Sequence, residues 1–414
     1  MPKTSGADNA ALRALPAAAI VRAIAAAAER WTDADFPSRV RVTAAIEERL
    51  GYTTPVVEYA LGRLFGGITC AALTAAITAE LGPLEILDDF VERAGRPATW
   101  ARGAGAVTIV SSDTTIGVAI VPLIFALTAK CGVTVKDRTD ALVAAFVETL
   151  GEECPELRAA TEVRIWSGGD DDIEARTLGD ADVVVAFGGP DALRAIRSRC
   201  AADATFVPFG HRASAGYVAA SALANDSGTV AAGAARDALL YDGDGCLSLH
   251  LLFVERAPGA AHERFVDVLA GACAANAIEF PAGPRKPARA ARVSAYAAAA
   301  AFRAANHAGR VVRAPDGAWT IVVDPSAGDL PPFGGGVIPI VFVDGIADAA
   351  AYVERHALPL QALGVTAGTD ARELTERLGA VRVTPLGRMQ DPPLAGHHGG
   401  RARIADFIRW VDRA

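Results

Sequence analysis

Aromatic residues and paired cysteines are scarce in this sequence. Only 6% of its residues are aromatic while 51% are hydrophobic, so we expect a core built mainly from Ala, Val, Leu and Ile. The 6 cysteines are spread over 414 residues and show no CxxC or other paired spacing, which excludes a disulfide framework and a Cys-based metal site. His397-His398 is a lone pair and is interpreted as a loop or packing feature. The cysteines fit a reducing compartment, and we expect the cytoplasm.

Long apolar runs and nucleic-acid signatures are also missing. The most apolar segment, 117–129, is too short to span a bilayer and is closed by Lys130. The first residues do not have the form of a signal peptide. The net charge is −8 and no basic stripe with interleaved aromatics is present, which argues against a nucleic-acid partner. We therefore expect a soluble protein with no membrane span.

The apolar pattern indicates more than one α/β unit behind a helical N-terminal region. A chain of this length exceeds one hydrophobic core. Helices are predicted over 10–95. From Val107 short apolar strands alternate with helices, which is typical of a mostly parallel sheet covered on both faces. Segment 282–288 is interpreted as a surface loop, and the chain is predicted to close with a helix over 404–411.

Cys246 stands in a setting unlike that of the other cysteines. It closes the segment YDGDGC, residues 241–246, and a buried strand is predicted directly after it, over 249–254. Gly243 and Gly245 remove side-chain bulk near the thiol, so a substrate carbonyl can approach the sulfur closely. The other cysteines lie in Ala- and Leu-rich or helical surroundings, where cysteine usually behaves as a small hydrophobe. Cys246 is therefore the candidate nucleophile.

A second set of residues suits a nucleotide. The strand predicted over 182–187 runs into Gly188 and Gly189, which open a helix and present backbone N–H groups to a phosphate. The motif is not a full GxGxxG, and a plain tight turn is an equal alternative. Lys136 ends another short strand, at the edge where open α/β sheets bind ligands; a solvated lysine is its alternative. Together the two features favour a dinucleotide site.

The order and spacing of these segments resemble the aldehyde dehydrogenase superfamily, and more closely its LuxC-type branch of fatty acyl-CoA reductases. The resemblance covers nearly the whole chain. It is carried by Arg30-Trp31, Gly51-Tyr52-Thr53, Leu150–Pro155, Trp166–Gly169, Ala181–Gly189, Phe209–Ser214, Gly245–Ser248, Arg382–Gly387 and Asp406–Val411.

The resemblance implies an α/β fold of the aldehyde dehydrogenase type, with a Rossmann-type cofactor domain, an α/β catalytic domain and a helical N-terminus. The expected boundaries are 1–218 for the helical N-terminus with the dinucleotide-binding domain and 219–386 for the catalytic domain. Residues 387–414 are expected to form a tail that packs back on the cofactor domain or on a partner subunit. By analogy with relatives, a homo-oligomer is expected.

The resemblance also implies a reaction at Cys246. An acyl group passes from coenzyme A or an acyl carrier to the thiol, and a nicotinamide hydride then reduces the thioester to an aldehyde. The attacking sulfur must be deprotonated, and the nearby charges of Asp242 and Asp244 are expected to oppose this. Hydrolytic relatives activate water with a glutamate, whereas this chain has Pro208–Arg212 at that place with no carboxylate. His211 is the remaining candidate, as a weak base or as a pocket histidine.

The cofactor assignment follows from the same comparison. Lys136 is assigned to the ribose hydroxyls. Where NAD-preferring relatives often carry a glutamate that repels a 2′-phosphate, this chain has Thr139 with Arg138 beside it, so NADP(H) is favoured, with NAD(H) as the alternative. Phe333 lies in the Phe-Gly segment near the nicotinamide ribose and is assigned to cofactor binding, together with Gly188 and Gly189.

Two departures from the family pattern keep a second hypothesis open. The segment that usually carries an oxyanion-binding asparagine is residues 111–117 here, where Thr114 or Thr115 is the candidate hydrogen-bond donor together with the backbone N–H of Cys246. The Asp-Gln pair before the nucleophile is replaced by Asp242-Gly243. The alternative is a degenerate family member that binds an acyl thioester or nucleotide with little or no turnover.

Overall fold

The computed structural model describes two compact units. Described are residues 9–112, 115–137, 141–166, 168–169, 171–306, 309–323 and 332–414. The first unit takes the described residues up to Arg49, then 57–211 and 393–414. The second unit takes 50–56 and 212–392.

The helical N-terminal region is confirmed as far as Leu81. Helix α2 is amphipathic: Ile20 and Ile24 are fully buried on one face, at the spacing expected of a helix packed on a core. Trp31 follows it, is fully buried, and donates its indole N–H to the Thr149 hydroxyl at 3.0 Å. Two strands then replace the helix predicted near residue 95. The elements are α1 (Ala10–Ala14), α2 (Ala17–Arg30), α3 (Pro37–Leu50), α4 (Thr54–Gly66), α5 (Cys70–Leu81), β1 (Val91–Arg93) and β2 (Arg96–Gly103).

A five-stranded parallel sheet forms the centre of the first unit. Its strand order is β5-β4-β3-β6-β7, so chain order reverses direction between β3 and β6, as in a Rossmann-type sheet. The elements are β3 (Ala106–Val110), α6 (Ile120–Thr128), β4 (Gly132–Lys136), α7 (Leu142–Glu153), α8 (Pro155–Ala159), β5 (Thr161–Arg164), α9 (Asp171–Gly179), β6 (Val183–Gly188), α10 (Pro190–Arg199) and β7 (Thr205–Gly210).

The second unit is built on a seven-stranded sheet of order β10-β11-β12-β9-β8-β13-β14, parallel except for the β10–β11 pair. One core cluster contains Val230 and Phe265, and another contains Tyr352 and Leu374, so helices cover both faces. The elements are β8 (Ala213–Val218), α11 (Ala220–Asn225), α12 (Ser227–Leu239), β9 (Leu251–Glu255), α13 (Ala261–Glu279), α14 (Pro287–Ala305), β10 (Arg310–Arg313), β11 (Thr320–Val323), β12 (Val337–Val343), α15 (Ile346–Arg355), β13 (Leu360–Val365), α16 (Ala371–Leu378) and β14 (Val383–Pro385).

The predicted closing helix over 404–411 is wrong. A short 3-10 turn, Ala405–Phe407, leads into β15 (Ile408–Arg413), which pairs antiparallel with β2. Pairing with a strand about 300 positions away satisfies the backbone groups that a helix would have satisfied locally. The resulting sheet has the order β1-β2-β15.

The structural division also differs from the expected boundary at residue 218. Strand β8, placed in the first domain by the sequence, pairs with β9 and β13 in the seven-stranded sheet. The division therefore falls between His211 and Arg212, because a strand belongs to the sheet that satisfies its backbone hydrogen bonds.

Within the described ranges, no single helix is long and apolar enough to cross a membrane. Helices α4 and α5 meet the length and composition requirement only as a pair, and they are bent by 62° relative to each other.

The turn before β15 depends on one carboxylate. Glu80 accepts the backbone N–H groups of Arg403, Ile404 and Ala405 at 2.5, 2.9 and 3.2 Å. We expect Glu80→Ala to lower the free energy of unfolding by about 2 kcal/mol, because buried donors lose their acceptor. Urea denaturation measures the change, with Glu85→Ala, an exposed site, as the matched control. Equal stability of both variants would contradict this account of the tail.

Candidate active site

Cys246 lies on a loop with an unusual backbone between α12 and β9. Tyr241, Asp242 and Gly243 all have positive φ, at 61°, 52° and 70°. Only glycine suits the last position, since a Cβ there would lie 2.9 Å from the Cα of Gly334. The left-handed conformation costs a non-glycine residue about 1 kcal/mol or more. The surroundings must therefore hold the loop in place.

Two side chains hold the loop by hydrogen bonds: Ser214, which lies in β8, and His250, which directly precedes β9. His250 accepts the Ser214 N–H on Nδ1 at 3.0 Å, which places its proton on Nε2, and Nε2 donates to the Gly243 carbonyl at 3.1 Å. Burial of this ring lowers the pKa of His250 to about 4, although its hydrogen bond to Gly243 acts in the other direction. The Ser214 hydroxyl donates to the Cys246 carbonyl at 2.6 Å. His250 is therefore a neutral support of the loop.

The two aspartates of the loop, whose charges are expected to oppose ionisation of the thiol, are paired with arginines. The Asp242 carboxylate accepts a fork of hydrogen bonds from Arg285, at 2.7 to 3.1 Å. Asp244 is paired with Arg289. Burial raises the pKa of Asp244, and the charge of Arg289 counteracts that shift. The segment interpreted as a surface loop thus sends Arg285 inward, where its side chain is only 15% exposed.

The thiol itself is accessible. Cys246 is exposed, so a substrate carbonyl can reach it. Loss of hydration nevertheless raises the pKa of its thiol, while the backbone N–H of Cys246 and the charge of Arg212 act in the opposite direction. The two properties differ because contact with water depends on the nearest atoms, whereas hydration of a charge depends also on protein further out. An incoming substrate therefore meets a thiol that needs help to ionise.

In the first unit, the carboxyl edge of the five-stranded sheet carries the candidate nucleotide residues. Strand β6 ends at Gly188, and Gly189 is the N-cap of α10. Among the described residues, a Cβ on Gly189 would have only a His211 ring atom nearby, at 3.8 Å, so this part of the backbone is open to a close approach. The site lies beside the β3–β6 reversal, where such sheets bind ligands. These residues fit a dinucleotide phosphate.

Lys136, at the end of β4, is already engaged. Its ammonium lies 4.8 Å from the centre of the Trp166 ring and 3.8 Å from a carboxylate oxygen of Glu174. The other Glu174 oxygen pairs with Arg199 at 2.5 Å. Glu174 also accepts the Trp166 indole N–H at 3.3 Å. One buried carboxylate therefore serves two cations.

Comparison with known proteins identifies the family. The profile of the LuxC acyl-CoA reductases matches residues 12–410. The chain belongs to the LuxC family. It is an acyl-CoA reductase, and this family match supports catalysis over the degenerate, binding-only alternative. A search of curated protein sequences found no match.

Solved structures confirm the aldehyde dehydrogenase fold. A NAD-dependent benzaldehyde dehydrogenase from Corynebacterium glutamicum has a TM-score of 0.71 at 16% identity, over 98% of this chain and 88% of that chain. Lactaldehyde dehydrogenase from Escherichia coli has a TM-score of 0.69 at 15% identity, over 97% of this chain and 87% of that chain. A proline utilization A variant from Bradyrhizobium japonicum has a TM-score of 0.72 at 19% identity, over 97% of this chain and 43% of that chain. At these identities the likeness concerns the fold alone.

The structure separates the predicted site residues of this LuxC-family reductase into three groups. Cys246 and Phe333 lie in the second unit, where the Phe333 ring packs against His250 at 5.0 Å between ring centres. His211 is exposed and lies with the nucleotide residues of the first unit. The remaining three predicted residues, Thr114, Arg138 and Thr139, lie outside the described residues.

The sequence reasoning missed the residues that support the loop. His250 ends the motif around Cys246, and a polar residue entering an apolar strand was the available signal. Arg285 lies two residues before α14 and Arg289 lies in its first turn, and their partners in the Cys246 loop are more than 40 positions away in the chain. Ser214 and Glu174 had no sequence signal, because their partners are distant in the chain.

The neutral state of His250 makes stability depend on pH. Its pKa of about 4 lies below the ordinary value of 6.5, so its contribution is fully present above about pH 6.5 and is lost as the pH falls through 4. The free energy of unfolding of the parent protein falls between pH 7 and pH 4.5. We expect that of His250→Asn to fall by about 2 kcal/mol less. Urea denaturation at both pH values gives this difference. His398, whose pKa is also lowered to about 4 by burial, is present in both proteins and cancels. Identical acid sensitivity would show that His250 is not held neutral.

Proposed function

We propose that this acyl-CoA reductase works through a thioester on Cys246. The loop around Cys246 carries the proposal. The exposed Cys246 follows a strained turn, and the side chains of His250, Ser214 and Arg285 each hydrogen-bond to this loop. Strain supported in this way concentrates at functional sites. A cysteine with only a packing role needs neither the exposure nor the support.

The first half-reaction is a transfer between sulfurs. The Cys246 thiolate attacks the thioester carbonyl carbon of the acyl donor, the bond from that carbon to the donor's sulfur breaks, and the released thiolate takes up a proton. The backbone N–H of Cys246 and Thr114 are proposed to stabilise the oxyanion formed in between. Arg212, whose charge lowers the pKa of the Cys246 thiol, favours the attacking thiolate.

The second half-reaction is reduction. A bound nicotinamide would supply the hydride that converts the thioester to an aldehyde, and the bond from carbon to the Cys246 sulfur breaks to return the thiolate. Segment 208–212, at the end of β7, has no carboxylate. Its one titratable base, His211, is proposed as a weak base at most. The thioester therefore persists long enough to be reduced instead of hydrolysed.

The cofactor is proposed to be NADP(H). Gly188 and Gly189 would hold the phosphates, and Lys136 the adenosine ribose. Its 2′-phosphate would meet the positively charged side chains of Lys136 and Arg199. Arg138 is proposed to attract the 2′-phosphate and Thr139 to tolerate it. Phe333 is proposed to lie at the nicotinamide end of the cofactor.

The acyl donor is proposed to be a coenzyme A or carrier thioester, and the assembly a homo-oligomer. Strand β15 lies at the edge of its sheet, and Trp410 on it is 47% exposed, which supports pairing with a second copy. All six cysteines are free, which supports the cytoplasm as location.

Cys246→Ala tests the catalytic role. We expect this variant to lose acyl-CoA-dependent oxidation of NADPH at every chain length and to bind NADPH as the parent protein does, because only the nucleophile is removed. Absorbance at the nicotinamide band follows the reaction, and product analysis identifies the aldehyde. Cys70→Ala, at another exposed cysteine, is the control and should keep full activity. Aldehyde production by Cys246→Ala would exclude the proposed thioester.

The nucleotide preference has its own test. We expect Arg199→Leu to weaken NADPH binding about threefold and to leave NADH binding unchanged, because one positive charge beside the proposed position of the 2′-phosphate is removed. Energy transfer from tryptophan to the bound nucleotide measures both affinities without an acyl substrate. Arg194→Leu, on the exposed side of α10, is the control. Equal loss for both nucleotides would mean that the cluster does not sense the 2′-phosphate.

A further inference from the structure

Four charged side chains form a closed group beside the Cys246 loop. Asp242 and Asp244 lie in the loop, Arg285 lies two residues before α14, and Arg289 lies in the first turn of α14. Each of the four is largely buried, with side-chain exposures of 12%, 23%, 15% and 22%. Two negative and two positive charges make the group neutral, which buried ions require.

The two arginines have different tasks. Arg285 is fixed on Asp242 by its fork and on the carbonyls of Gly317 and Ala318 at 2.9 and 2.6 Å. Arg289 is the shared residue. It pairs with Asp244, lies 3.7 Å from the Asp242 carboxylate, and donates to the Asp242 carbonyl at 3.1 Å.

Arg289 thus contacts the loop at its strained backbone and at Asp244. Asp244 is two residues from Cys246 and has no other ion pair among the described residues. The Asp242 carbonyl that Arg289 binds also accepts the Gly335 N–H at 2.7 Å. Removing Arg289 leaves Asp244, two residues from Cys246, without its ion-pair partner and takes one hydrogen bond from the left-handed turn.

We propose that Arg289 is a positioning residue for Cys246, which holds the turn and keeps the charge of Asp244 from opposing thiolate formation. The proposal rests on the proposed function, in which Cys246 is the nucleophile. It assigns to Arg289 no contact with the acyl donor or with the nucleotide.

The other ionisable groups of the second unit near the loop do not replace Arg289. Arg212 approaches from the start of β8 and already lowers the pKa of the thiol. His250 carries no charge above about pH 4, because burial lowers the pKa of its ring. Tyr52 is buried beside the group, and its pKa is raised by burial and by the charge of Asp244, so it carries no charge that could compensate. Arg285 is committed to Asp242.

The test is the pH dependence of Cys246 alkylation. Each protein is treated with iodoacetamide from pH 6 to pH 11, and labelling is quantified by mass spectrometry on the peptide that contains Cys246. The buried Cys131 and Cys273 serve as internal controls, since they stay unlabelled in a folded protein. Arg292→Met, three positions further along α14 and exposed, is the matched control variant.

Three variants give distinct expectations. Arg289→Met should raise the midpoint of the alkylation profile by about one pH unit, because a nearby like charge disfavours the thiolate. Asp244→Asn should lower the midpoint below that of the parent protein, since Arg289 then has positive charge in excess. The double variant should return it close to the parent value, and Arg292→Met should leave it unchanged.

The outcomes separate the charge effect from simple damage to the fold. An unchanged midpoint in Arg289→Met, or a midpoint that rises in Asp244→Asn, would overturn the proposal. If Arg289→Met labels its buried cysteines and is therefore misfolded, Asp244→Asn alone still decides by the sign of its shift. Alkylation needs no acyl donor and no nucleotide, so a failure of the reductase reaction would leave this measurement intact.

Discussion

The ion pair between Asp242 and Arg285 is the interaction on which the rest of the site depends. Asp242 has a left-handed backbone conformation, which is unfavourable for a residue with a Cβ. The hydrogen bonds from Arg285 to its carboxylate help to hold this conformation. His250 and Ser214 fix the following carbonyls from the sheet. Cys246 follows this supported turn and is exposed.

Shared carboxylates and arginines recur on the nucleotide side. Glu174 holds Lys136 and Arg199 together, as Arg289 holds two positions of the Cys246 loop. In the first case one anion serves two cations. In the second case the charges cancel, which suits a thiol that must become an anion.

The sequence predicted the parts of the fold that depend on local pattern. The parallel strands, the helices between them and the Cys246 loop appear where apolar periodicity and glycines indicated. The closing helix was wrong because β15 gains its hydrogen bonds from β2, which no local pattern reports. Arg285 was read as surface for the same reason: its partner, Asp242, lies 43 positions away.

The central claim is that Cys246 carries the acyl group, and mass spectrometry after mixing with acyl-CoA in the absence of nucleotide tests it most directly. The account predicts one acyl group per chain, located on the peptide with Cys246 and removed when NADPH is added. An acyl group on any other residue, or none at all while aldehyde is still produced, would contradict the account.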